Sequence, residues 1–331
     1  MNIETLSLQY DGQSVGLLDQ TQLPHVEKWL QCRSPEDMFE AIKNLQVRGA
    51  PLIGVAAGLA LAVYSKSEPS VEEFVKTAKW LRTSRPTAVN LMYVIDLILH
   101  QVEKTGDVAG VEDLALQVFE EDQQLCESIA NNGAVLINDG DSILTHCNTG
   151  GLATAGVGTA LGVIRKAHEQ GKNIHVYVDE TRPLLQGGRL TTYELEKLSI
   201  PYTLICDSMA ASLFQSGKID LAIVGADRIA KNGDFANKIG TLNVSLLCHH
   251  YEKPFYTAAP YTTIDKQCES GAGIEIEQRK PEEVRGVTGS FGQCLWAPEN
   301  AQVYNPAFDV TPAKYVTGWI TEEKVFLKPN F

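Results

Sequence analysis

The chain has 331 residues, with 41 acidic against 28 basic side chains and a net charge of -13, a length for which two domains are the prior. That acidity, without a local basic patch, argues against nucleic acid and anionic membrane surfaces as partners. The longest apolar stretch, over 51–64, is too short and too rich in glycine and alanine to span a bilayer, and no signal-peptide pattern opens the chain, so a cytoplasmic protein is expected.

After strands and turns over 6–18, the first 120 or so residues read mainly as helices. Ser34 followed by Pro35, Glu36 and Asp37 is a strong helix start, since serine caps, proline suits the first turn and the acids favour the positive end of the dipole. That helix should end near Leu45. Arg48-Gly-Ala-Pro51 then turns into a helix over 52–64 whose small residues allow close packing. Further helices are predicted over 71–82, 88–102 and 111–131. Beyond Asp139, short runs rich in Val, Ile and Tyr alternate with helical stretches. Strands are expected over 142–146, 174–178, 202–206, 221–224 and 255–258, and helices over 153–170, 191–198, 208–215 and 236–250. This alternation predicts an α/β fold: a doubly wound, Rossmann-like parallel sheet behind a smaller, mainly helical amino-terminal domain. The composition shift places the domains at 1–121 and 122–331.

Ligands of such sheets bind beyond the carboxyl ends of the strands, and there the sequence places Cys147, Asp179, Asp207 and Asp227. Any one aspartate alone reads equally as a cap or turn residue; four polar ends on one edge point to a site. The seven cysteines are odd in number, widely spaced and without a C-x-x-C pair, which disfavours a disulfide framework or structural zinc. Each reads first as a small buried residue. Cys147 is singled out because it sits between a strand end and a glycine-opened helix, where the dipole would favour thiolate. Asp227 follows an apolar run, so partial burial would suit it to general-acid work. Gly150, Gly151, Gly156 and Gly158 match neither the dinucleotide fingerprint nor the P-loop, so no nucleotide cofactor is expected. They suit a phosphate at a helix amino terminus or close packing equally well. Asn237 and Lys238, read as opening a helix, would offer amide donors and a cation to an anion.

Six stretches carry a wider resemblance: Val47-Arg-Gly-Ala-Pro51, Arg85-Pro-Thr-Ala-Val-Asn90, Thr145-His-Cys-Asn-Thr-Gly150, the glycine-bearing segments over 179–189 and 225–240, and Asn305-Pro-Ala-Phe-Asp-Val-Thr-Pro312. In this order they resemble the methylthioribose-1-phosphate isomerase family. Gln278 departs from that family's usual glutamate. The resemblance implies a homodimeric isomerase of a sugar 1-phosphate, without metal or other cofactor. It implies Cys147 and Asp227 as the catalytic pair and Arg48, Gly49, Ala50, Arg85, Gln186, Asn237 and Lys238 as substrate-binding residues. Three alternatives stay open: 5-deoxyribose 1-phosphate or ribose 1,5-bisphosphate as substrate, and a non-catalytic regulatory subunit of the same fold.

Overall fold

The computed structural model describes residues 2–85 and 88–331; Pro86 and Thr87 of the 85–90 motif lie outside the described residues. The chain forms two compact units, Met1–Gln124 with Gly151–Gly156, and Leu125–Gly150 with Val157–Phe331. The chain thus leaves the second unit for six residues and returns to it, an arrangement no single boundary can express.

The first unit opens with four short antiparallel strands, β1 (Ile3–Glu4), β2 (Leu8–Tyr10), β3 (Val15–Leu18) and β4 (Trp29–Cys32), paired in chain order. Five helices follow: α1 (Pro35–Lys43), α2 (Ala50–Ser65), α3 (Val71–Leu81), α4 (Val89–Thr105) and α5 (Val111–Ala134), the last of which runs across the division between the units. Their starts obey local chemistry. Ser34 Oγ accepts the Asp37 amide before α1, and Ser70 with Glu73 forms a reciprocal capping box before α3. Helix α2 is apolar all round and buried along most of its length, as such a helix must be. It anchors a core with Leu8, Val15, Met38, Phe74, Leu91 and Ile98, each fully buried large apolar side chain contributing roughly 1.5–3 kcal/mol.

Segment 151–156, whose last four residues were expected to be helical, forms turns and bends held within this unit by hydrogen bonds. Ser7 Oγ and Gln20 Nε2 donate to the carbonyls of Gly151 (2.9 Å) and Leu152 (2.7 Å). The Leu52 amide donates to Ala153 (3.1 Å), and the Ala155 amide donates to Asp122 (2.7 Å).

The second unit contains β5 (Ser142–Thr145), α6 (Ala160–Glu169), β6 (His175–Asp179), α7 (Thr192–Lys197), β7 (Tyr202–Ile205), α8 (Ala210–Gln215), β8 (Leu221–Gly225), β9 (Arg228–Ala230), β10 (Phe235–Lys238), α9 (Thr241–His250) and β11 (Phe255–Ala258). The remainder is β12 (Ile264–Asp265), α10 (Glu282–Arg285), β13 (Gly286–Gly289), β14 (Gly292–Leu295), β15 (Phe308–Thr311), β16 (Gly318–Ile320) and β17 (Val325–Phe326). Seven strands form the main sheet in the order β17-β16-β11-β8-β5-β6-β7, parallel except for β17. One core holds Ile143, Val163, Val176 and Ile223, and a second holds Leu144, Val224, Phe235 and Phe255, so alternate strand residues serve opposite faces. This is the doubly wound, Rossmann-like sheet the alternation predicts. A second sheet, β12-β9-β10-β15, was not expected. Among the described residues no helix is long and apolar enough to cross a membrane.

Candidate active site

Strand order in the main sheet reverses between β5 and β8, whose register pairs Ile143 with Leu221 and Leu144 with Ala222. Cys147 follows β5 and Asp227 follows β8, so both leave the carboxyl edge at the reversal, where open α/β sheets bind their ligands.

Burial does not distinguish Cys147, because Cys32, Cys126, Cys248 and Cys268 are buried too. Its backbone does: Cys147 has φ +66°, and among the described residues no other cysteine has positive φ. The helix expected immediately after it begins only at Ala160, so Cys147 does not sit at a helix amino terminus. The Leu161 amide in the first turn of that helix donates to Thr149 Oγ1 (3.1 Å), and Gly150 pairs with Gly158 in an isolated antiparallel bridge. Gly150 and Gly158 therefore serve close packing, since a Cβ on Gly158 would lie 2.4 Å from Gly150 Cα.

Next to the cysteine, buried His146 links three segments. Its Nε2 lies 2.9 Å from the Ile239 carbonyl and its Nδ1 2.9 Å from Asp179 Oδ2. Since a carbonyl only accepts, Nε2 carries hydrogen, and the second contact shares one proton between imidazole and carboxyl. Burial opposes the charged imidazole, but the hydrogen bond and charge of Asp179 outweigh it and raise its pKa; burial raises the Asp179 carboxyl. Both directions keep the shared proton on the pair. Gly240, at φ +104°, lets the chain pass this ring, since a Cβ there would lie 2.7 Å from His146 Cε1.

His146, Asp179 and Asp207 bring one ligand atom each within 4.8 Å of one another, a spacing a metal ion could use. Asp207, however, accepts the amides of Thr181 (2.8 Å) and Arg182 (2.7 Å) on its two oxygens. Together with the engaged imidazole, this makes the cluster a loop support. Two acceptors nearby in sequence, Asp179 Oδ1 and Gln186 Oε1, are buried without a hydrogen-bond partner among the described residues. A buried acceptor gains most from a donor, and a sugar hydroxyl supplies one.

Asp227 is half-buried, and its amide donates to the Ala236 carbonyl (2.9 Å). Asn237 and Lys238 do not open a helix. They end strand β10, opposite Asp309 and Phe308 of β15, and the helix starts at Thr241. The pairing with β15, some seventy residues on, overrides the local helical pattern. Asn237 Nδ2 donates to Thr241 Oγ1 (3.0 Å). Buried Lys238 Nζ donates to the Ala307 carbonyl (2.9 Å) and lies 4.2 Å from the Phe308 ring centroid. Asp309 takes the capping role at α9, accepting the amides of Gly240 (2.8 Å) and Leu242 (3.1 Å).

Arg48, Gly49 and Ala50 lie at the start of α2 in the first unit, and half-buried Arg85 lies just before α4. Gly49 has φ +92°, and a Cβ there would lie 2.4 Å from the Ala153 backbone, so both conformation and space require glycine. Sequence reasoning passed over His146, Thr181 and Asp309, although each stands within a quoted motif. Thr191, Asn148 and Glu194 enter the site through hydrogen bonds described below; the last two are joined at 2.7 Å.

Sheet topology and the polar groups at its reversal define an α/β protein with a candidate site at the carboxyl edge of the sheet. The initiation factor 2 subunit family model matches residues 46–327. The methylthioribose-1-phosphate isomerase of Serratia proteamaculans is 53% identical over 323 residues, 98% of this chain and 94% of that relative. Among solved structures, the 5-methylthioribose 1-phosphate isomerase of Pyrococcus horikoshii OT3 superposes with a TM-score of 0.89 at 41% identity, covering 98% of this chain and 92% of the other. The translation initiation factor eIF-2B delta subunit from A. fulgidus gives a TM-score of 0.84 at 42% identity, covering 97% and 95%. The chain belongs to the methylthioribose-1-phosphate isomerase family, within the initiation factor 2 subunit family.

Proposed function

We propose that the protein converts 5-methylthioribose 1-phosphate to 5-methylthioribulose 1-phosphate, an aldose-to-ketose step of methionine salvage. The observation that carries the mechanism is the placement of Cys147 and Asp227 after the two strands flanking the reversal of strand order. The names of the relatives support the substrate.

With phosphate on the anomeric carbon, the sugar cannot open to a free aldehyde, so ring opening needs an acid. Asp227 protonates the ring oxygen as its bond to C1 breaks, leaving an electron-poor C1 that still bears phosphate. The hydrogen on C2 then moves to C1, either as a proton carried by Cys147 or as hydride beside it. The C2 hydroxyl loses its proton as the ketone forms. Arg48, Gly49, Ala50, Arg85, Gln186, Asn237 and Lys238 are assigned to substrate binding, each on its match to the family motifs.

The A. fulgidus structure favours a second reading, a non-catalytic subunit, because its likeness to this chain is nearly as high. Turnover by the purified chain on methylthioribose 1-phosphate, 5-deoxyribose 1-phosphate and ribose 1,5-bisphosphate separates the readings. We expect the first to give the highest kcat/KM. A higher value for either other sugar reassigns the substrate, and no turnover on any supports the regulatory reading. The family resemblance also supports a cytoplasmic homodimer; light scattering should give twice the 36.2 kDa chain mass, and a monomer mass would overturn the dimer.

A further inference from the structure

We infer that Thr181 and Thr191 are positioning residues that hold Cys147, by its two backbone polar groups, in the left-handed conformation its chemistry uses. The inference rests on the reading of Cys147 as catalytic.

A side chain at φ +66° crowds its own backbone, and a non-glycine residue stays there only where its surroundings over-determine it. Two threonine hydroxyls supply that constraint. The Cys147 amide donates to Thr181 Oγ1 (2.9 Å), and that hydroxyl donates onward to the Asp179 carbonyl (3.0 Å). On the other side, Thr191 Oγ1 donates to the Cys147 carbonyl (2.6 Å). The Thr191 oxygen in turn accepts from Asn148 Nδ2 (3.3 Å), whose other hydrogen goes to buried Glu194 (2.7 Å). Each hydroxyl thus both donates and accepts, which fixes its direction. Both threonines are buried, at 0% and 1% exposure, so no water can replace a lost hydroxyl without opening the packing. Thr181 is itself fixed, with its amide on Asp207 Oδ1 (2.8 Å) and its own φ at +64°. The grip spares the thiol: every bond is to backbone, which leaves the Cys147 sulfur to be aimed.

Valine keeps the shape of threonine and deletes the hydroxyl; serine keeps the hydroxyl. Thr181→Val and Thr191→Val should each lower kcat on methylthioribose 1-phosphate at least tenfold with KM within about twofold, and Thr181→Ser and Thr191→Ser should stay within about threefold of the parent. The native alkylation rate of Cys147 by iodoacetamide, read by peptide mass mapping to separate it from exposed Cys206 and Cys294, should change at least threefold in the valine variants only. A structural role alone would leave that rate unmoved in folded protein. If a valine variant fails to fold by circular dichroism, Thr181→Ala or Thr191→Ala replaces it; failure of both, or a loss that serine does not restore, overturns the inference. Normal kcat in the valine variants beside an inactive Cys147→Ala overturns the inference and spares the catalytic reading. An active Cys147→Ala overturns both.

Discussion

Cys147→Ala and Asp227→Asn should each lower turnover of methylthioribose 1-phosphate about a hundredfold or more while leaving the fold intact, a loss of roughly 3 kcal/mol of transition-state stabilisation. Neither side chain is needed for the local fold. The contacts that hold residue 147 are made to its amide and carbonyl, and alanine occupies left-handed φ no worse than cysteine. The amide of Asp227 is bonded to Ala236 whatever the side chain, and asparagine keeps its size while removing the transferable proton. Far-UV circular dichroism of both variants should match the parent, and near-normal turnover in either would remove that residue from the mechanism. Solvent deuterium separates the two hydrogen routes. Wash-in at C1 supports proton transfer through Cys147, whereas complete retention of the C2 hydrogen supports hydride transfer.

The alternation of strands and helices behind Asp139 was legible because buried parallel strands read as short apolar runs. The expected strands over 142–146, 202–206 and 255–258 correspond to Ser142–Thr145, Tyr202–Ile205 and Phe255–Ala258. What escaped the reading is decided by distant partners. Residues 153–159 continue a helical pattern, yet Ala153 and Ala155 bond to Leu52 and Asp122 instead. Asn237 and Lys238 look like the start of a helix, but their backbone is claimed by Asp309 and Phe308. The site divides the same way. Cys147 and Asp227 were visible as polar ends of apolar runs, and the quoted motifs already contained His146 and Thr181. Thr191 carried no local signal, since its hydroxyl bonds residues 43 and 44 positions earlier, Asn148 and Cys147. The helix expected behind Cys147 was misplaced for a related reason: a glycine-rich strand exit predicts an adjacent helix only when the loop stays in its own unit, and here residues 151–156 do not.

Asp122 should make the protein less stable as pH rises from about 4 to about 6. The residue is 8% exposed, and burial is the main cause that pushes its pKa up to about 6; the Ala155 amide acts against the shift and Glu121 adds to it. A carboxyl whose folded value lies above its unfolded value of 3.8 binds more protons in the folded state. Its contribution is therefore complete below about pH 4 and is lost as pH climbs through 6. A shift of about two units corresponds to roughly 3 kcal/mol across that window. Asp122→Asn keeps an oxygen for the Ala155 amide and does not titrate. Buried Asp179 and half-buried Asp309, also raised, titrate in both proteins and cancel in the comparison. Urea unfolding from pH 4.5 to 7 should thus show the parent losing stability relative to Asp122→Asn, most steeply near pH 5 and levelling off above pH 6. Parallel curves for the two proteins would mean that Asp122 is ionised in the folded chain throughout, and that the Ala155 amide compensates for its burial.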